Sequence, residues 1–318
     1  MSVSGQVSGR VAIIGAGSVG STIAYAGMMR GLASQITLVD VNLAKCEAEV
    51  KDLNHGLRFV PSVRIRVGRV ADCAGAEMVI VTAGAKQKPG QSRLDLAQAN
   101  VAMFRGLIPA ISAVAPEAIL LVVSNPVDVL TYAAVKWHVA GPRRVFGSGT
   151  VLDSSRFVGL IAERLGVSVQ NVHAHIVGEH GDSEMPLWSS AEVCHIPVRE
   201  ISVGGRGPLT DRDQGEITRQ VRTAAAEIIA AKGATNWAVA LAVARIVEAV
   251  LRDENAVLPI SRLLEDYHGI SDVCLSVPSI VNRGGVEPPL PIPMSEPEIA
   301  GLRASAEVVR QACRAAGL

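Results

Sequence analysis

VAIIGAGSVGSTIAYAGMMRGLASQITLVD, residues 11–40, is the stretch on which the reading of the whole chain turns. Val11 to Ile14 is a short apolar, β-branched run of the kind that forms a strand buried on both faces. Gly15-Ala16-Gly17-Ser18-Val19-Gly20 follows at once with the spacing G-x-G-x-x-G and leads into a helical pattern. Each glycine has a physical task. Gly15 allows the tight turn, Gly17 lets the backbone approach a pyrophosphate, and Gly20 lets the new helix pack on the strand, whose free N–H groups face the phosphates. A second strand, Ile36 to Val39, ends at Asp40, where a carboxylate accepts from ribose hydroxyls and repels a 2′-phosphate. The expectation is a Rossmann-type grip for NAD rather than NADP. An ordinary glycine turn is the alternative, and the strand before, helix after and acid beyond argue against it.

A chain of 318 residues suits two domains better than one. Its hydrophobic share is 49% and its mean hydropathy +0.32, yet no apolar run reaches the length of a membrane span. The richest segment, Trp237 to Leu251, is broken by Arg245 and Glu248. The excess reads as core and subunit interface. Lys plus Arg and Asp plus Glu are both 30, and no basic block stands out, which speaks against a nucleic-acid partner. Cys46, Cys73, Cys194, Cys274 and Cys313 are odd in number, far apart and without a C-x-x-C pair, as expected of reduced thiols in the cytoplasm. Residues 1–9 lack the basic and apolar parts of a secretion signal and read as a loose tail.

After Asp40 the alternation of helix and strand continues. A helical pattern spans Leu43 to Phe59, strands Val63 to Val67 and Met78 to Thr82, and a long helix Leu94 to Val114. Lys45 could reach the adenosine end of a cofactor, although a solvated lysine is the simpler reading, and His55 reads as structural. Between strand and long helix lies Ala83-Gly84-Ala85-Lys86-Gln87-Lys88-Pro89-Gly90-Gln91-Ser92-Arg93, a loop at the carboxyl edge of a doubly wound sheet, where ligands sit. Its glycines and charged tip suit a lid that carries Arg93 inward; a surface arginine is the other reading. A fifth strand, Ile119 to Val123, ends in Ser124-Asn125-Pro126-Val127-Asp128, where Pro126 can open a helix and Asn125 faces the cleft. Val145 to Phe146 forms a sixth strand before Gly147-Ser148-Gly149. The expected domains are residues 9–148, a dinucleotide-binding unit, and 149–318, a mixed α/β catalytic unit.

In the second unit a helix runs from Thr150 to about Leu165 and puts Asp153 and Arg156 on one face, as an exposed ion pair in the plainest reading. His173-Ala174-His175-Ile176-Val177-Gly178-Glu179-His180-Gly181-Asp182-Ser183 crowds three histidines together. His173 and His175 are expected on one face of a strand, but no familiar ligand spacing accompanies them, so no metal is expected. His180 lies in a glycine-flanked turn, free to face a cleft and pair with a carboxylate such as Asp153, as a general acid or base does. Further on, Ala191 to Val198 and Val273 to Asn282 read as strands, Asp211 to Ala231, Asn236 to Leu251 and Glu296 to Ala316 as helices.

GAGSVG with Asp40, AGAKQKPGQSR, SNPVDVLT, GSGTVLDSSR, GEHGDS and KGATNW stand in the order and spacing of the L-lactate/malate dehydrogenase family, and the chain resembles that family, its bacterial L-lactate dehydrogenases above all, over nearly its whole length. The resemblance implies that His180 is the proton donor and acceptor, that Asp153 stabilises its charged form, and that Arg156 clamps the substrate carboxylate through two parallel hydrogen bonds. It implies that Arg93 polarises the substrate carbonyl, that Asn125 and Thr235 position the substrate, and that Val19, Gly84, Ala85, Val123 and Ser148 line the NAD site alongside the glycines. A homotetramer is implied as well.

Substrate choice in the family turns on the position held here by Gln87, where malate enzymes carry arginine. A neutral amide leaves a distal carboxylate unpaired, so pyruvate and L-lactate are expected, with malate dehydrogenase or a dehydrogenase of larger 2-hydroxy acids as alternatives. A catalytically silent dinucleotide-binding protein is a third possibility, opposed by the complete set His180, Asp153, Arg156 and Arg93. Family members that bind fructose 1,6-bisphosphate use an arginine two residues after the carboxylate-binding one, and a histidine seven before the catalytic one. The chain has His173 but Val158 in the arginine's place, which puts that effector in doubt.

Overall fold

The computed structural model describes residues 9–85 and 93–318. The first half is a regular alternation: β1 (Arg10–Ile14), α1 (Ser18–Met29), β2 (Gln35–Val39), α2 (Leu43–His55), β3 (Arg64–Gly68), β4 (Met78–Val81), α3 (Arg93–Val114), β5 (Ile119–Val122), α4 (Val127–Trp137) and β6 (Val145–Gly147). These six strands pair in parallel in the order β3-β2-β1-β4-β5-β6. Helices cover both faces, which is why β4 and β5 are buried at every residue and read as continuous apolar runs. The chain reverses direction across the sheet between β1 and β4, and the crevice at that switch is where an open α/β sheet takes its ligand.

The second half adds α5 (Val151–Leu165), the short strands β7 (Val172–His173), β8 (Ile176–Val177), β9 (Met185–Pro186), β10 (Glu192–Val193) and β11 (Ile196–Pro197), then α6 (Asp211–Lys232), α7 (Trp237–Leu251), β12 (Ala256–Leu264), β13 (Val273–Asn282), β14 (Gly285–Pro289) and α8 (Glu296–Ala315). β12, β13 and β14 form an antiparallel meander that joins the parallel sheet through one pair of residues, Ser261 opposite Gly147, giving nine strands in one sheet. The junction is tight. A Cβ on Gly147 would lie 3.1 Å from Ser261 Cβ, and just beyond β6 the Thr150 N–H donates to the Pro259 carbonyl of β12 at 3.1 Å.

Four local expectations need correction. The helix expected to reach Phe59 stops at His55, and Leu57–Phe59 is a separate 3-10 turn. Pro126 precedes α4 as its N-cap instead of opening it, in the extended backbone that a residue outside the helix adopts. Ala191 to Val198 is a hairpin of β10 and β11 whose turn residues Cys194 and His195 both have positive φ. His173 ends β7 while His175 falls between β7 and β8, so the two do not share a strand.

The glycine turn is built by contacts that differ from one glycine to the next. Gly15 has φ +109° and its missing Cβ would meet Thr82 Oγ1 at 2.7 Å, while a Cβ on Gly20 would lie 1.8 Å from the Gly15 carbonyl oxygen. Gly20→Ala therefore forces α1 off the turn, and overpacking of this kind typically costs about 1–3 kcal/mol. The expected outcome is a lower thermal midpoint together with weakened NADH binding, read by fluorescence titration; unchanged values for both would mean that α1 does not depend on that contact.

Candidate active site

Two cavities lie at the carboxyl edge of the parallel strands. The larger, about 640 Å³, has the glycine turn and Thr82 to Ala85 on one side and Val39, Asp40, Val41 and Leu43 on the other. Gly15 and Gly20 are required by the protein's own packing, but a Cβ on Gly17 would meet no atom of the described residues within 4 Å. Space kept open by Gly17 is space for something other than protein, which fits a pyrophosphate held by backbone N–H groups. Asp40 accepts from the Ala16 N–H at 2.7 Å and from the Asn42 N–H at 2.8 Å, one bond to each carboxylate oxygen. Each oxygen retains a lone pair for a ribose hydroxyl. The residues present therefore fit a dinucleotide. Val19 stands apart from the other expected cofactor residues, since it packs against the core beneath the turn.

The smaller cavity, about 50 Å³, is lined by Val123, Asn125, Ser148 and His180 among others. Gly84 and Ala85 line the larger one, and Asn100, 1% exposed, ties that wall to Asn125. Its side-chain oxygen accepts from the Ala85 N–H at 2.8 Å, and its amide donates to the Asn125 carbonyl at 2.8 Å. Thr235 is half-buried in the connection between α6 and α7. Its neighbour Asn236 donates to Thr22 Oγ1 on α1 at 3.0 Å, which moors that connection to the nucleotide half. Gln87 and the side chain of Arg93 lie outside the described residues.

Asp153 sits in the first turn of α5 and is 2% exposed. One carboxylate oxygen faces His180 Nδ1 at 2.5 Å and the other accepts from Arg156 Nη1 at 2.7 Å. The pair Asp153–Arg156 is thus sheltered, with side-chain exposures of 3% and 15%, unlike the solvated ion pair that its spacing alone suggests. Burial works against the charge on Asp153, but His180 and Arg156 overcome it and hold the carboxyl below the usual carboxylate range. Burial also opposes charge on His180; the charge and hydrogen bond of Asp153 outweigh it, Asp128 and Glu184 add to them, and the imidazole is lifted to about 9. With Nδ1 engaged by Asp153, Nε2 is the nitrogen left to exchange a proton.

The histidine's main chain is fixed too. Its N–H donates to Asp128 Oδ2 at 2.8 Å, and Ser261 Oγ donates to Asp128 Oδ1 at 2.6 Å. Burial pushes Asp128 up to about 6, against the pull of these two donors. Asp128, Asn100, Ser261 and Glu184 all escaped sequence reasoning. Asp128 stands inside SNPVDV, and its spacing within α4 was the only available signal. Among the described residues no His, Cys, Asp and Glu side chains form a group able to hold a metal ion. All five cysteines are free thiols.

Comparison with known proteins matches residues 9–147 to the NAD binding domain of lactate/malate dehydrogenase and residues 150–316 to that family's alpha/beta C-terminal domain. The chain belongs to the lactate/malate dehydrogenase family. It is 48% identical to an L-lactate dehydrogenase of Bifidobacterium animalis subsp. lactis, with 95% of each chain covered, and 47% identical to one of Acetivibrio thermocellus at the same coverage. Among solved structures it is similar to the minor L-lactate dehydrogenase of Enterococcus mundtii in its ligands-bound form, with TM-score 0.93 and 38% identity, covering 97% of this chain and 98% of that one. An NAD-binding domain in such a family makes NAD the cofactor.

The raised value of His180 has a definite sign. The folded pKa of about 9 lies above the ordinary 6.5, so the stability the His180–Asp153 pair contributes is fully present below pH 6.5 and fades as pH rises through 9. Asp153→Asn removes the charge that overcomes burial. The His180 proton resonances, followed by NMR, are expected to titrate near pH 9 in the wild type and at least one unit lower in the variant. A wild-type midpoint near 6.5 would contradict the pairing.

Proposed function

We propose that the protein interconverts pyruvate and L-lactate, with residues 9–148 holding the dinucleotide and 149–318 carrying the acid–base chemistry. The single observation that carries the reading is the triplet His180–Asp153–Arg156, a proton carrier and a carboxylate clamp, both partly exposed, oriented by one shared and buried carboxylate. The bound dinucleotide would supply or take the hydride. Arg156, whose guanidinium can offer two parallel donors, binds the substrate carboxylate, and Asn125 and Thr235 position the rest. His180 gives the proton on Nε2 to the oxygen that becomes the lactate hydroxyl and takes it back in the reverse direction. Asp153 keeps the imidazole turned and its charge stable throughout. Arg93 polarises the carbonyl.

The same reading places the protein in the cytoplasm, in a fermentative step of sugar breakdown, and as a homotetramer. Among the described residues no helix is long and apolar enough to cross a membrane. Tyr25 and Met29 on α1 and Trp237 and Leu241 on α7 are exposed on helices that pack together, an apolar surface of the kind subunits cover. Fructose 1,6-bisphosphate is left out of the reading. Val158 packs half-buried against the core of α5 and offers a phosphate neither charge nor hydrogen bond, while His173 is exposed.

Absorbance assays of NADH oxidation with pyruvate and with oxaloacetate test the function, and pyruvate is the expected substrate. His180→Asn retains a group able to face Asp153 but lacks Nε2; it is expected to bind NADH normally and to lose roughly a hundredfold to ten-thousandfold in turnover. Near-normal pyruvate reduction by that variant would remove His180 from the mechanism.

The choice of substrate rests on Gln87. Pyruvate and oxaloacetate offer the same 2-oxo acid to Arg156 and His180, so discrimination falls to whatever meets the far end. An amide there cannot neutralise a second carboxylate, whereas arginine could pair with it and would be left unpaired by pyruvate. Gln87→Arg is expected to raise kcat/KM for oxaloacetate and lower it for pyruvate, with a combined swing of roughly a hundredfold if each effect is worth about 1.4 kcal/mol. An unchanged ratio would show that Gln87 does not face the substrate.

A further inference from the structure

Four residues beyond His180 and immediately before β9 lies a carboxyl that the mechanism above does not use. The main chain of Glu184 is held on both sides: its N–H donates to the Gly181 carbonyl at 3.2 Å, and its carbonyl accepts from Arg222 Nη2 on α6 at 2.8 Å. The residue is 4% exposed, yet its Oε1 has no hydrogen-bond partner among the described residues. A buried carboxylate oxygen without a donor is among the costliest groups a protein can carry, and the usual response is to keep the proton. The charged groups acting on it come from three directions: Asp153 and Arg156 from α5, His180 from its own loop, and Arg222 from α6. Burial, then the like charge of Asp153, pushes Glu184 up to about 8, although His180, Arg222 and Arg156 pull the other way. The influence is mutual. Glu184, when ionised, adds to Asp153 and Asp128 in favouring the imidazolium of His180.

We propose, resting on the pyruvate–lactate reading above, that Glu184 is a positioning residue for proton transfer, a buried carboxyl that stores a second proton beside His180 and, once it releases that proton, holds the other one on the imidazole. While protonated it adds no negative charge next to Arg156, so the guanidinium is left to the substrate carboxylate. Once ionised it competes for that guanidinium and keeps His180 charged. The two protons then leave as a property of the pair, not of either residue alone.

Glu184→Gln keeps the volume and one oxygen but cannot ionise. Pyruvate reduction uses protonated His180, so the alkaline limb of its kcat/KM profile is expected to move to lower pH in the variant, by roughly half a unit or more. Lactate oxidation uses the neutral imidazole, and its acid limb is expected to move in the same direction. Glu184→Asp, which retains an ionisable group, is expected to bring both limbs back toward the wild type. A residue that merely filled space would alter rates without moving both limbs together. Profiles of Glu184→Gln that superimpose on the wild type in both directions would overturn the proposal. Should that variant not fold, infrared titration of the wild-type protein decides: a protonated carboxyl stretch present at pH 7 and lost with a midpoint near 8 supports the proposal, and its absence overturns it. A wild type that fails to reduce pyruvate would refute the functional reading alone, since the infrared titration still reports on Glu184.

Discussion

Asp153 carries the interaction on which the site depends. A carboxylate that is 2% exposed is tolerable only if positive partners surround it, and here two do, a histidine on one oxygen and an arginine on the other. Sharing one anion fixes His180 and Arg156 relative to each other, the arrangement that the proposed proton carrier and carboxylate clamp need. It also sets the histidine's tautomer. Burial alone would have discharged the imidazole; the shared carboxylate reverses that outcome. Placing Asp153 in the first turn of α5, where the helix N-terminus favours negative charge, is consistent with the same end.

The nucleotide cleft follows a different physical logic. It relies on the absence of side chains, with Gly15 and Gly20 close to other protein atoms and Gly17 facing open space. Among the described residues, charge on its lining comes from Arg69 and from Asp40, whose two oxygens also brace the turn and the start of α2. The cleft in one half of the chain is thus shaped by backbone, whereas the cluster around Asp153 in the other is held by side-chain electrostatics. The residues that join them are polar and mostly buried: Asn100 between the loop and Asn125, and Asp128 between β12 and the histidine.

Much of this was legible in the chain itself, for identifiable reasons. The first six strands are short apolar runs separated by helices and glycines, and periodicity alone locates such strands to within a residue or so. β12 and β14 were not anticipated, because Pro259, Pro288 and Pro289 interrupt what would otherwise look like strands. The hairpin around Cys194 and His195 was hidden by two left-handed residues that are not glycine. In the site, His180, Asp153 and Arg156 stood out through motif and spacing. Asp128 and Glu184 did not, since what distinguishes them is burial and the company of groups far away in the chain, neither of which one sequence displays.

The junction at Gly147 and Ser261 has a further consequence, for cooperativity. The two halves share one continuous sheet, and Gly147, where a Cβ would lie 3.1 Å from Ser261 Cβ, is crowded at the seam. Loosening either half at that point would expose a sheet edge of the other, which couples their opening. The seam lies beside Ser148, which lines the small cavity, and Ser261 is also the donor that steadies Asp128. Disturbing the fold at that point therefore also disturbs a wall of the cavity and the carboxylate that holds the main chain of His180.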